Sequence, residues 1–312
     1  MTTIFFATDV HGSEICWKKF INAGKFYNAD IIILGGDMTG KALVPFIKDS
    51  KGKYRVNFLE EEMYLDEEGK LAMEKNISDR GYYPIDVSES EYEELSADAA
   101  KVENLFVERV LQMAERWVKF AEERLSQWGI KCFICPGNDD MFEIDSVFAA
   151  SRYITVAEGK VLDLDGHYEM ISTGWSNPTP WDTHRECSEE ELEEKIEKMA
   201  ARVSNMERCV FNLHAPPYGS GLDEAPELDE NLRPKYAGRS LIPVGSHAVQ
   251  KVILKYQPPL ALVGHIHEGR GVKKIKKTLC INPGSSYEQS TLLGAIIELD
   301  KKGVKKYVLT SG

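Results

Sequence analysis

Seven side chains able to donate a lone pair to a metal stand at five places in the chain. Asp9 and His11 form Asp-Val-His, Asp37 closes Gly-Gly-Asp, and Asn138 follows Gly137 in Gly-Asn-Asp-Asp. A lone His214 comes next, and His265 with His267 makes Gly-His-Ile-His. In each i, i+2 pair both side chains would fall on one side of the chain if the backbone there is extended. Two carboxylates, four imidazoles and one amide oxygen form a mixed N/O set, suited to Mn, Fe, Zn, Co or Ni. The set is too large for one catalytic ion with an open position and right for two ions sharing a carboxylate. Any one of these histidines alone would read as a satisfied structural or surface residue. Four of the chain's seven falling into this pattern is what argues for a site.

Short apolar runs must position them. Residues 3–9, 29–37, 131–139, 168–175, 208–214, 260–267, 278–284, 294–300 and 305–311 are rich in β-branched and other apolar residues. Runs of this kind read as strands buried on both faces. Helical periodicity alternates with some of them, over 13–24 behind Ser13 and over 246–256 behind Ser246 and ahead of Pro258–Pro259. Alternating strands and helices predict an α/β layered architecture. All five donor groups sit at the carboxyl ends of strands, where open α/β sheets hold their ligands.

Two long insertions break the pattern of a single domain over 1–312. Residues 41–130 predict a β-hairpin turning at Asp66–Gly69 and then a long helix over about 91–128, closed by Gly129. The helix carries Leu95, Ala99, Val102, Phe106, Val110, Met113, Trp117, Phe120 and Leu125 at three-to-four spacing. That stripe would pack on the parent domain or on the same helix of a second copy, which would make a homo-oligomer. Residues 215–245 form a Pro/Gly-rich stretch without periodicity, expected to be a functional lid or rim.

The 312 residues carry 50 acids against 38 bases, a formal charge of −12. Fifteen of those acids, with only four bases, lie in residues 60–103. The acidity therefore belongs to an acidic cap or partner surface, and the rest of the chain is nearly neutral. At 43 % hydrophobic and 28 % charged the chain is too apolar to be disordered. No run is long enough to span a membrane, and Met1-Thr-Thr-Ile-Phe-Phe lacks the basic start of a signal peptide, so a cytoplasmic location is expected. The six cysteines, including Cys132 and Cys135 spaced C-x-x-C inside a strand pattern, read as reduced structural thiols. The basic runs at 273–277 and 301–306 alternate with apolar residues as solvated strand faces do, without interleaved aromatics to stack bases. Nucleic acid is therefore not the expected partner.

The ordered motifs Asp-x-His, Gly-Asp, Gly-Asn-Asp-Asp, His and Gly-His-x-His resemble those of the calcineurin-like metallophosphoesterases, and the Asn282-Pro-Gly-Ser segment adds to the likeness. The resemblance spans Asp9 to His267 and omits only the 41–130 insertion. It implies a four-layer α/β/β/α sandwich of two mixed sheets, into which the hairpin-plus-long-helix module read above is inserted. It also implies two divalent metal ions. One would take Asp9, His11, Asp37 and His267, the other Asp37, Asn138, His214 and His265. Such a pair shares a hydroxide, acidifies it and clamps a phosphoryl group for in-line attack.

One residue departs from the family pattern. Asp139 stands where relatives usually carry a histidine that assists the leaving group. A carboxylate there repels a dianionic monoester more than a singly charged diester. The expected activity is therefore phosphodiesterase action on a small diester or nucleotide, with Asp139, Asn138 and His214 nearest the chemistry. A protonated Asp139 could instead act as the acid. A phosphomonoesterase or nuclease on the same metals, and a non-catalytic scaffold of the same fold, are the competing readings. Candidate substrate contacts are Arg239, Tyr218, Arg270 and His184, with Lys235 and Arg185 as further cations in the same loops.

Overall fold

The sequence Ile31-Ile-Ile-Leu34 is buried at every residue, which a strand achieves only when both faces of its sheet are covered. A computed structural model describes residues 1–312 and shows how that cover is built. The first half runs β1 (Thr2–Ala7), α1 (Glu14–Phe26), β2 (Ile31–Leu34), β3 (Leu43–Lys48), β4 (Tyr54–Phe58), β5 (Glu61–Leu65), α2 (Glu67–Asp79), β6 (Tyr83–Ser88), α3 (Glu89–Ala97), α4 (Ala99–Trp128) and β7 (Lys131–Ile134). Next come α5 (Ile144–Ala149), β8 (Ile154–Val156), β9 (Val161–Asp163), β10 (Glu169–Thr173), α6 (Glu189–Ala200), β11 (Cys209–Leu213), β12 (Glu224–Pro226) and β13 (Leu241–Pro243). The chain ends with α7 (His247–Tyr256), β14 (Leu260–Leu262), β15 (Gly271–Ile275), β16 (Thr278–Asn282), β17 (Leu293–Asp300) and β18 (Gly303–Ser311).

Two six-stranded sheets form the body, ordered β18-β17-β1-β2-β7-β8 and β15-β16-β14-β11-β10-β9. Strands β1, β2, β7 and β8 are parallel, as are β10, β11, β14 and β16, while antiparallel β17 and β18 extend one side of the first sheet and antiparallel β9 and β15 close both edges of the second. Alternation along each strand sends Ile4, Phe6, Ile31, Ile33, Met170, Val210, Leu260 and Ile281 into one apolar layer between the sheets. The other faces bury Trp17, Phe20, Trp117 and Phe148 under α1, α4 and α5, and Phe211, Leu192, Val249 and Val252 under α6 and α7. The expected four-layer α/β/β/α sandwich of two mixed sheets is present.

The 41–130 segment differs in detail from its expectation. The hairpin is β4–β5, and it turns at Leu59–Glu60, both at positive φ. Asp66–Gly69 is not a turn: Asp66 accepts from the Gly69 N–H and caps α2, with Glu67 and Glu68 favourably placed in its first turn. The same side-chain-to-backbone bond serves a turn or a helix start, so the local sequence did not separate them. Strands β3 and β6 pair in parallel and complete a four-stranded sheet β5-β4-β3-β6. The long helix is broken at Asp98, which ends α3 and caps α4 by accepting from Ala100 and Lys101 N–H groups. Val110, Met113, Ala114, Trp117, Ala121 and Leu125 of α4 are buried in the chain's own core.

The 215–245 stretch is also less irregular than expected, since β12 and β13 pair across it. Asp223 gathers its start by accepting from the Gly219, Gly221 and Gly245 N–H groups. All six cysteines are free, and burial pushes the Cys132 and Cys135 thiols upward, away from reactivity. No helix is long and apolar enough to cross a membrane.

Candidate metal centre

The loops after β1, β2 and β7 in one sheet, and after β11 and β14 in the other, converge at the carboxyl edge of the sandwich. Backbone bonds lock them together. The Asp9 N–H donates to Gly36 O, the His11 N–H to Asp37 O, and the Gly264 N–H to His214 O. Asp9, His11, Asp37 and His265 all adopt positive φ, a conformation costly for non-glycine residues and concentrated at functional sites. Close approach is needed as well: a Cβ on Gly36 would strike the His214 ring, and one on Gly137 the Asp37 carboxylate.

The result is two facing clusters. Ligand atoms of Asp9, His11 and His267 lie within 4.8 Å of one another, as do those of Asp37, His214 and His265. Asp37 reaches both: its Oδ2 is 3.6 Å from His11 Nε2 and its Oδ1 is 3.4 Å from His214 Nε2. Asn138 Oδ1 lies 3.0 Å from His214 Nε2, which brings the amide oxygen to the second cluster. His267 Nε2 lies 3.0 Å from His11 Nε2 and 3.6 Å from Asp9 Oδ1. A third set, His11, Asp37 and Asp139, also falls within 4.8 Å.

These donors fit divalent cations. Imidazole nitrogens aim at one another and at carboxylate oxygens, and His11 Nδ1 is buried without a hydrogen-bond partner. Lone pairs so converged repel unless a proton or a metal lies between them. His214 Nδ1 faces Gly35 O at 3.1 Å, a bond that places the proton on Nδ1 and leaves Nε2 as the ligand. Asn138 is oriented in the same way, since its Nδ2 donates to Thr183 Oγ1 at 2.8 Å. Thr183 in turn donates to Glu186 at 2.6 Å.

The charges follow the geometry. Burial works against ionising Asp9 and Asp37, but neighbouring imidazoles outweigh it, holding Asp9 at about 2 and Asp37 well below the carboxylate range. Burial also opposes a charge on His214, yet the Asp37 and Asp9 carboxylates raise it to about 9. His265 is pressed down to about 4 by burial and by the neighbouring His214 charge. Asp140 is buried and held up at about 7 by burial and by Asp37. It accepts from the Met38, Thr39 and Gly137 N–H groups and so staples the loop after β2 to the loop after β7.

The suggested substrate contacts are spread apart. Arg185 is buried, pairs with Asp145 at 2.7 Å, donates to Asp140 O and lies over the Phe142 ring, so it is a structural cation. Arg270 donates to Pro283 O and Thr310 O. Tyr218 packs on His247, with ring centroids 3.9 Å apart, and Lys235 pairs with Glu227 at 2.7 Å. Arg239 is exposed in the β12–β13 connection, and His184 is exposed next to Thr183. The cation that does reach the cluster is Lys41, whose Nζ lies 2.5 Å from Asp139 Oδ2. The sequence signalled it only by its place four residues after Asp37. Tyr287 was also missed, and its ring packs 4.7 Å from that of His11 and 5.8 Å from that of His267.

No protein-family profile matches the chain. An uncharacterized protein of Methanocaldococcus jannaschii, MJ1162, is 29 % identical over 150 residues, covering 47 % of this chain and 61 % of that protein. The chain thus spans less than two thirds of this relative's length. Among solved structures, TT1561 of Thermus thermophilus aligns over 100 % of this chain and 98 % of its own, at 14 % identity and a TM-score of 0.55. That likeness is one of fold. A structure described as a novel archaeal phosphodiesterase aligns over 99 % of both chains at 12 % identity, with a TM-score of 0.35.

Proposed function

We propose that the protein is a dinuclear-metal phosphoesterase that favours small phosphodiesters. The observation that carries this reading is the convergence of seven N/O donors from five strand ends, with Asp37 facing both clusters. Asp9, His11, Asp37 and His267 would hold one ion, and Asp37, Asn138, His214 and His265 the other. Bound divalent ions supply Lewis acidity toward phosphoryl oxygens and lower the pKa of water at neutral pH. The chain supplies the rest. Gly35 O fixes the His214 tautomer, Thr183 turns the Asn138 oxygen inward, and the Asp139 N–H donates to Asp37 Oδ1 at 3.0 Å, fixing its carboxylate plane.

The diester preference rests on charge. Where an imidazolium would add a full positive charge, Asp139 and Lys41 form a pair of no net charge. A singly charged diester needs less neutralisation than a dianionic monoester. The test compares matched aryl phosphate mono- and diesters with Mn²⁺, Ni²⁺ or Zn²⁺ added and His265→Ala as the blank. Higher kcat/KM on the diester is expected. A clear monoester preference would remove the charge argument.

A further inference from the structure

We propose that Lys41 contacts the substrate phosphate, with Asp139 as the residue that positions it; the proposal deepens the phosphoesterase reading and rests on it. Among the lysines and arginines, Lys41 is the one ion-paired to a member of the three donor clusters. Its partner oxygen, Asp139 Oδ2, also lies 3.7 Å from His11 Nδ1. The ammonium therefore stands at the edge of the cluster that would receive a phosphoryl group.

The backbone holds it there. The Lys41 N–H donates to Gly81 O at 3.0 Å, and the neighbouring Gly40 N–H donates to the Tyr83 hydroxyl at 2.7 Å. Tyr83 opens β6 and is buried in the main core, so residues brought by the 41–130 segment anchor the lysine at the site. An ammonium has three donors, and the bond to Asp139 uses one. The side chain keeps 35 % of its surface exposed, and Asp139 is the one hydrogen-bond partner of the ammonium.

A plain surface ion pair contributes little and would be indifferent to the substrate. A phosphate-binding lysine has opposite consequences for its two partners. Removing the cation leaves Asp139 as an unpaired negative charge facing the phosphate. Removing the carboxylate frees the cation and adds positive charge. Lys41→Met should thus weaken phosphate binding and penalise dianionic esters most. Asp139→Asn should shift selectivity toward monoesters.

The experiment measures inorganic phosphate binding by calorimetry, and kcat/KM on the paired aryl mono- and diesters, for Mn²⁺-loaded wild type, Lys41→Met, Lys41→Arg and Asp139→Asn. Metal content and thermal midpoint are measured on each. Lys41→Met is expected to weaken phosphate binding and to lower diester kcat/KM by about tenfold or more, with metal content unchanged. Lys41→Arg should restore most of the binding, and Asp139→Asn should raise the monoester-to-diester ratio at least about threefold. Phosphate binding within about twofold of wild type in Lys41→Met overturns the proposal, as does a loss of metal that accounts for the whole effect. Wild-type protein that binds phosphate through Lys41 yet hydrolyses no ester would instead overturn the phosphoesterase reading and leave the lysine's contact standing.

Discussion

Asp37 has two oxygens facing two different imidazoles, which makes it the residue on which a shared centre depends. Asp37→Asn keeps the shape and removes the charge. Bound metal should fall from about two ions per chain to about one or fewer, as read by elemental analysis, and hydrolysis should be lost with it. The supporting hydrogen bonds carry a smaller, separable effect. Thr183→Val frees the Asn138 amide to rotate and should weaken metal affinity by about 10- to 100-fold without unfolding the protein. An unchanged affinity would place Asn138 outside the centre. The donors themselves were legible because their type and spacing state their chemistry. Lys41, Thr183 and Glu186 were not, because they act across gaps such as that between residues 41 and 139, which no local pattern encodes.

The strand ends can place those donors only if the layers behind them are rigid. Helix α4 covers one sheet, with Trp117 stacked on Trp17 at 4.7 Å and the Trp17 indole N–H donating to Trp117 O. Trp117→Ala should cost about 3–5 kcal/mol in denaturant unfolding, as removal of a buried aromatic does. A cost below about 1 kcal/mol would mean that α4 is peripheral to the core. Seven of the nine apolar runs were legible as strands because burial on both faces demands unbroken apolar sequence, whereas β17 alternates and β18 at the sheet edge is largely exposed, so those two were not the doubly buried strands expected. The insertion was harder to read. Its sheet joins β3 to β6 across an intervening hairpin and helix, and Asp66 and Asp98 each act as a cap at a point where the sequence also permitted a turn or an unbroken helix.

For the whole molecule, charge and protons set the conditions of work. The acids of residues 60–103 lie on β5, α2, β6, α3, the start of α4 and the turn and caps between them, attached to the site through Gly81 and Tyr83. If this surface screens substrates, a single-stranded oligonucleotide should be hydrolysed more slowly than a small diester. The gap should narrow as salt is raised and long-range repulsion is screened. Discrimination independent of salt would assign it to the shape of the site instead.

Metal uptake should depend on pH in a defined direction. In the metal-free protein His214 keeps its proton up to about 9, and a metal must displace that proton. Affinity should therefore rise with pH below that value, by about tenfold per pH unit for each proton displaced, and level off above it. Calorimetry at two pH values in buffers of different ionisation enthalpy reads both the slope and the released proton.

The central claim, a phosphoesterase built on a pair of ions sharing Asp37, is met most directly by titrating metal-free protein with Mn²⁺ while following hydrolysis of a bis-aryl phosphate. Activity is expected to appear on metal addition, to saturate at about two equivalents per chain, and to be absent in Asp37→Asn. Saturation at one equivalent, or a metal-loaded protein that leaves the diester intact, would contradict it.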